Sequence, residues 1–468
     1  GEAGARRETS GASLRRQVAA FAGALRAFGI RPGDRVAGYL PTGPEAVVAM
    51  LGAASVGATW SSCSPDFGIK GVMDRFGQIA PKVLFVADGY HYGGKTLDSL
   101  SRTRAIAEQL PNLERLIVVP YLDPVPKLDG LEATLLADFV APYAPRDIDF
   151  MRLPFNDPLY ILYSSGTTGV PKGAMHCHRV LIEGRNIARA MHMEPGDKVL
   201  GHMPLYHVAG SVATVIPTMQ HGCAIVMMPQ WEPGAALNLI ADERINVMGG
   251  IPTHFIDLLQ QSKHNPRDTT CLKSAWIGGA PVTPRIATAV KDTLHFDALQ
   301  AVYGMTETMG MTTLSEFDAP IEVTCENKGK PVGDYEVKVV DPDTGIEKPV
   351  GDDGEIWVRG YLLMLGYYQN EEATREAITP EGWFRTGDLG RFDREGYLQI
   401  TGRAKEMFIV GGSNAYPAEI ERFLETHPDV DQAVVCGAPH ERLGEVCFCL
   451  LYTSDAADEG LGVDLGGR

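Results

Sequence analysis

No lysine follows Lys405, no two cysteines stand at C-x-x-C spacing, and basic residues are outnumbered by acidic ones, 42 to 59. Each shortage excludes something. A net charge of −17 argues against a general nucleic-acid or anionic-membrane surface, because both need clustered Lys and Arg to release counterions. An anionic ligand must then be met locally. Of the eight cysteines (63, 177, 223, 271, 325, 436, 447, 449), only Cys447 and Cys449 are close-set, which favours reduced structural thiols in a cytosolic protein over disulfides or a zinc site. The chain opens Gly1-Glu2-Ala3-Gly4 without Met or an apolar signal region, so no targeting segment is expected and a start inside a longer protein stays open. From Val199 to Trp231 there is no Asp, Glu, Lys or Arg. That length fits a membrane span, but His202, Pro204, His207, Pro217, Gln220 and His221 interrupt it, so a buried α/β core is the better reading.

What is present is the balance of a soluble folded protein: 468 residues, 44% hydrophobic and 22% charged, with length for more than one domain. Leu14, Val18, Phe21, Leu25 and Phe28 stand at helical spacing, and Gly29 with Pro32-Gly33 ends the helix they predict. Strands are predicted at 35–40, 83–87 and 116–119, with a helix at about 45–55. The alternation resumes with a helix over 180–191, strands at 198–200, 224–228 and 247–251, and a helix over 252–261. Such alternation is that of doubly wound α/β units around parallel sheet. Residues 120–155 are Pro-rich without periodicity and read as a surface connection. From about 320 onward, short strands at 336–340 and 354–359, separated by Asp341-Pro342, Thr344-Gly345 and Gly351-Asp352, predict a small β-barrel-like subdomain. A helix opening at Tyr416-Pro417 and a strand over 430–435 follow.

The stretch with most chemistry is Tyr163-Ser164-Ser165-Gly166-Thr167-Thr168-Gly169-Val170-Pro171-Lys172-Gly173. It follows a strand-like run, Leu159 to Tyr163. Its glycines let backbone N–H groups turn inward on an anion, its hydroxyls add donors, and Lys172 adds positive charge. Pro171 and Gly173 flank Lys172, so this is not a Walker A loop. A plain flexible loop is the alternative for the Ser/Thr/Gly cluster taken alone. The whole stretch, however, resembles the signature of the adenylate-forming superfamily, which includes acyl-CoA synthetases, luciferases and nonribosomal peptide adenylation domains.

The resemblance extends to further motifs and implies roles for their residues. In Ala301-Val302-Tyr303-Gly304-Met305-Thr306-Glu307-Thr308, Tyr303 would face adenine, Thr306 the α-phosphate, and Glu307 would hold Mg²⁺. In Gly382-Trp383-Phe384-Arg385-Thr386-Gly387-Asp388, Asp388 would accept from both ribose hydroxyls. Arg403 would contact ribose and phosphate, and Lys405 would be the hinge of a rotating C-terminal domain. Gly279-Ala280-Pro281 would border adenine and the acyl group, although a simple strand-to-helix turn reads equally well there. Gly411-Gly412 would line the pantetheine path of coenzyme A. His207, in Met203-Pro204-Leu205-Tyr206-His207, would gate the acyl pocket; Val208-Ala209-Gly210 follow it where adenylation domains for amino acids carry an Asp. Gly304 stands where acetyl-CoA synthetases have Trp, which implies room for an acid longer than acetate. The segment Trp60 to Gly68, with Asp74-Arg75-Phe76 and Ala87-Asp88-Gly89-Tyr90, is similar to acetoacetyl-CoA synthetases.

The implied fold is α/β: a large N-terminal domain at 1–404 of doubly wound subdomains with a β-rich part at about 320–400, then a truncated small α+β C-terminal domain at 405–451, and an atypical tail at 452–468. The implied activity is an ATP-dependent acyl-CoA synthetase using MgATP, coenzyme A and a small carboxylic acid, with no nucleic acid and no transmembrane segment. The family continues well past the hinge to a lysine that supports adenylation, and no lysine follows Lys405 here. Weak adenylation by this chain is therefore expected. An ATP-binding fragment without turnover, or a luciferase-type oxidative relative, are the rival readings.

Overall fold

The structure, a computed structural model, describes residues 6–92, 94–143, 147–164, 170–280, 282–410, 413–427, 429–440 and 444–453. Two long sheets carry most of the chain. The first runs, in spatial order, Gly366–Tyr367, Lys172–Cys177, Pro158–Ser164, Thr59–Cys63, Arg35–Tyr39, Val83–Ala87, Arg115–Val119 and Thr134–Leu135. From Pro158–Ser164 to Thr134–Leu135 all neighbours are parallel. Parallel strands are covered on both faces and so read as continuous apolar runs; Val83–Ala87 is buried at every position. The helix Gly11–Phe28 packs on this sheet, with Ser10 accepting from the Ser13 N–H at its start and Gly29 (φ 98°) closing its end. Its Phe21 ring meets Phe85 at 4.7 Å between centroids.

The second sheet begins with five parallel strands, Ala224–Met227, Lys198–Gly201, Val247–Gly250, Ser274–Gly278 and Ala298–Tyr303. It continues antiparallel through Thr313–Leu314, Lys328–Pro331, Leu398–Arg403, Phe384–Phe392, Gly354–Arg359 and Glu336–Val340. The strands between 328 and 403, where a small β-barrel-like subdomain was expected, extend the second sheet.

Three stretches differ from the sequence reading. Lys172–Cys177 is a strand that returns antiparallel against Pro158–Ser164; its Lys-Gly-Ala-Met-His-Cys composition lacks the β-branched and aromatic types that mark strands. The uncharged segment holds a helical passage from Val208 to Gln220, buried from Val208 to Thr218, with a π-type turn at Ser211–Val215. A short strand, Thr134–Leu135, and a helix, Leu136–Val140, lie within the expected connection.

Beyond Lys405, the strands Phe408–Val410, Ser413–Ala415, Val430–His440 and Gly444–Thr453 form a separate four-stranded sheet with the helix Pro417–Leu424. The strand predicted at 430–435 runs on to His440, and the last strand reaches Thr453, into the stretch expected as an atypical tail. Among the described residues no helix is long and apolar enough to cross a membrane.

Candidate active site

In open α/β sheets ligands gather at the carboxyl ends of the parallel strands, and the sequence-predicted residues collect there in two groups. The first centres on the hairpin mouth. Ser164 stands opposite Lys172 in register, so the connection between them is the expected phosphate loop; its Ser165, Gly166, Thr167, Thr168 and Gly169 lie outside the described residues. The Lys172 ammonium lies 5.1 Å from the centre of the Tyr367 ring. Tyr367 belongs to the strand paired beside Lys172–Cys177, and its hydroxyl donates to Glu307 Oε1 at 2.8 Å. Glu307 and Thr306 sit in a 3₁₀ turn, Thr306–Thr308, just beyond the strand Ala298–Tyr303, and both are buried. The Glu307 carbonyl is pinned by the Met364 N–H at 2.9 Å. Lysine, aromatic hydroxyl and carboxylate thereby form one connected set.

The second group is built across antiparallel strands. Asp388 and Arg403 are direct cross-strand partners, with Arg403 Nε 3.1 Å from Asp388 Oδ1. The Tyr303 hydroxyl donates to Asp388 Oδ2 at 2.8 Å. Burial raises the Asp388 pKa above its ordinary 3.8, opposed by the Tyr303 hydrogen bond and the Arg403 charge. Burial likewise pushes the Tyr303 phenol well up. The loop is held from behind: Asp388 N–H donates to Thr386 Oγ1 at 3.0 Å, whose hydroxyl donates to the Ile356 carbonyl at 2.7 Å. Glu355 accepts from the Gly387 N–H at 3.2 Å and from Trp357 Nε1 at 2.8 Å.

His207 caps the short helix Val208–Gly210, its Nδ1 accepting from the Ala209 N–H at 3.1 Å. Its ring is solvent-exposed on one side, and desolvation from the other lowers the imidazole pKa. Gly279 adopts φ 81° directly after the strand Ser274–Gly278, and it and Ala280 are exposed at the sheet edge. Lys405 is exposed in the turn leading to the four-stranded sheet. Pro281, Gly411 and Gly412 lie outside the described residues.

One expectation is overturned. A Cβ on Gly304 would stand 2.3 Å from the Gly310 carbonyl oxygen and 2.9 Å from Thr312 N. The space expected to lengthen the acyl pocket is occupied by returning backbone, which the Thr312 N–H to Tyr303 carbonyl bond of 2.8 Å fixes in place. Glycine is required at 304 by that approach, so it carries no information about acid length.

Sequence reasoning missed Tyr367, which meets both Lys172 and Glu307; its Gly-Tyr-Tyr-Gln-Asn setting carries no periodic signal. It also missed His176, fully buried on the Lys172 strand beside the Thr306 backbone, with burial pushing its pKa down to about 4.

The donor set fits a magnesium nucleotide. Among the described residues no group of three or more His, Cys, Asp or Glu makes a protein cage for a metal. Mg²⁺ needs no such cage, since it is commonly held by one or two carboxylates together with phosphate oxygens and water. Glu307 supplies that carboxylate, with one oxygen steadied by Tyr367.

Two doubly wound sheets ending in a buried carboxylate with a lysine and a buried carboxylate with an arginine define a nucleotide-handling α/β enzyme. The chain belongs to the AMP-binding enzyme family, which it matches over residues 3–368. Curated relatives include "Medium-chain acyl-CoA ligase ACSF2, mitochondrial" of Bos taurus, 31% identical over 94% of this chain and 74% of that protein. Another is the "3-[(3aS,4S,7aS)-7a-methyl-1,5-dioxo-octahydro-1H-inden-4-yl]propanoyl:CoA ligase" of Mycobacterium tuberculosis (strain ATCC 25618 / H37Rv), 34% identical over 94% of this chain and 83% of that protein. Among solved structures, ATP-bound MatB from Rhodopseudomonas palustris superposes with a TM-score of 0.84 at 28% identity, covering 97% of this chain and 86% of that one.

Proposed function

We propose that the chain is an ATP-dependent acyl-CoA synthetase for a medium-chain, ring-bearing or 3-oxo carboxylic acid. A carboxylate oxygen attacks the α-phosphorus of ATP, the bond to pyrophosphate breaks, and an acyl-adenylate forms. The coenzyme A thiolate then attacks the acyl carbon and AMP leaves. The observation that carries this reading is that one strand end serves both sets: Tyr303, the last residue of Ala298–Tyr303, joins Asp388 and Arg403, and Glu307, in the turn that follows, joins Tyr367 and Lys172.

In this reading Asp388 accepts from the ribose hydroxyls and the Tyr303 ring packs on adenine. Arg403, with its side chain 59% exposed, turns from Asp388 toward phosphate. Lys172 and Thr306, with the hydroxyls and N–H groups from Ser164 to Gly169, meet the phosphates, where developing charge is best stabilised by preorganised donors. Mg²⁺, when bound, neutralises phosphate charge beside Glu307. His207 stands at the acyl entrance with Gly279 and Ala280, and Lys405 is the pivot for the thiol step. The acid class follows the relatives' names and the absence of an acidic residue at 208–210; acetoacetate rests on the segment Trp60 to Gly68.

The test is acid-dependent pyrophosphate release from MgATP with acetate, acetoacetate, octanoate and benzoate, followed by thioester formation with coenzyme A. Release with one of the larger acids and a thioester are expected. AMP and ATP binding without release under any acid would replace the synthetase by a nucleotide-binding protein.

A further inference from the structure

Two glycines of the second sheet give up their places to side chains from a neighbouring strand. A Cβ on Gly249 would stand 1.8 Å from Trp276 Cε2 and 2.0 Å from its Nε1, and one on Gly278 would stand 2.4 Å from Val302 Cγ1. Gly249 and Trp276 are direct cross-strand partners, as are Gly278 and Val302. The Trp276 indole therefore lies against the Gly249 backbone, and the Val302 side chain against that of Gly278. Glycine inside a strand weakens it and marks a close approach; at Gly249 the group that approaches is the indole.

The face that carries Trp276 is the one covered by the helical passage from Val208. Trp276 is buried in one apolar cluster with Met203, Ala209, Ala213 and Met311, and Val302 packs against it. Val208, Val212 and Val215 belong instead to the core around the first sheet. The passage thus lies between the two sheets and turns its alanines to the indole. This layer runs inward from the residues placed at the acyl entrance. Ala209 is two residues beyond His207, and its N–H bonds His207 Nδ1; Gly279 directly follows the strand Ser274–Gly278. Residues two apart on a strand share a face, so inward from Gly279 that face offers first Gly278, which has no side chain, and then Trp276. Three residues of strand, roughly 10 Å, separate Gly279 from Trp276.

Resting on the synthetase reading above, we infer that Trp276 is a specificity determinant: its indole closes the inner end of the acyl pocket, between the strand Ser274–Gly278 and the passage that carries Ala209 and Ala213, and limits the length of the acid. The acid selected is thus a short one, of the length of acetoacetate, in preference to a linear medium-chain acid. The indole is rigid and rests on backbone, so a longer chain meets a wall. Each methylene that an apolar pocket cannot place changes selection by about tenfold or more.

The experiment measures, by calorimetry on the full chain, the binding of non-reactive acyl-sulfamoyl adenosines that carry butanoyl, 3-oxobutanoyl, hexanoyl and octanoyl groups. It repeats the series with Trp276→Ala, which empties the inner end of the pocket, and with Trp276→Leu, which fills part of it. The wild type should bind the two four-carbon analogues at least about tenfold more tightly than the octanoyl one. W276A should reverse that order, with W276L in between. Octanoyl and butanoyl analogues bound equally by the wild type, or a chain-length profile unchanged in W276A, overturn the inference while leaving the synthetase reading intact. Binding of AMP but of no acyl analogue overturns both. If W276A and W276L do not fold, the wild-type profile decides alone.

Discussion

The two carboxylates of the site, both carried by strands of the second sheet or the turn that follows one, are held in different ways. Ladder register sets Asp388 against its cross-strand neighbour Arg403, and the Tyr303 hydroxyl reaches Asp388 from the end of a strand that pairs with neither. Near the first sheet, the link between Lys172 and Glu307 passes through Tyr367, a residue from a two-residue edge strand that lies 60 positions from Glu307. A register-built carboxylate is rigid before ligand arrives and suits affinity. A carboxylate linked through a bridging side chain beside a flexible ammonium can adjust as phosphate charge moves, which suits the chemical step. The Asp388–Arg403 pair is itself half open to solvent, so its worth to folding is small. Its value is as a ready acceptor.

That division of labour can be broken or sharpened. Lys172→Ala should lower the rate of pyrophosphate release by ~10²–10³-fold, the scale for removing one preorganised charge contact, with AMP affinity near wild type. An equal loss in both would erase the distinction between the two carboxylate groups. Asp388→Asn should do the reverse, raising the Kd for AMP about tenfold to a hundredfold, since hydrogen bonds to a charged group are worth about 1.5–3 kcal/mol; calorimetry that finds AMP affinity unchanged removes Asp388 from the ribose site.

Smaller effects follow from the second-layer contacts. Tyr367→Phe keeps the ring beneath Lys172 and deletes the hydroxyl on Glu307, so single-turnover adenylation should slow by about fivefold, the worth of about 1 kcal/mol. Loss as large as that of K172A would make the hydroxyl on Glu307 as important as the lysine charge, and no loss would leave the ring as the working part. Last, the Asp388 pKa lies above its ordinary 3.8. The ionised form accepts from ribose and the protonated form loses acceptor strength, so AMP affinity should hold at higher pH and decline as pH falls through the raised value. In D388N that decline should vanish, and a profile with the same slope in both proteins assigns it to another group.

Legibility in the sequence followed the range of the signal. The helix Gly11–Phe28 and the strands Val83–Ala87, Glu336–Val340 and Gly354–Arg359 coincide with their periodic or apolar patterns, because burial of one face or both writes itself into neighbouring residues. Lys172–Cys177 escaped because it becomes a strand only by pairing with Pro158–Ser164. Tyr303, Asp388 and Arg403 were named from motifs, and the structure brings them within hydrogen-bond reach of one another. Gly304 was misread because a missing side chain looks like space until the backbone that fills it is located.

By itself, the sequence determined the alternation of apolar strands and amphipathic helices, the acidic surface that confines anion binding to a few basic and hydroxyl side chains, and the motif residues at the strand ends. These are local properties, set by what each residue type can bury or donate. Only the tertiary structure decided that Tyr367 joins Lys172 to Glu307 and that the backbone of residues 310–312 closes on Gly304. Those contacts depend on loop closure between distant segments, which leaves no trace in the spacing of the residues involved.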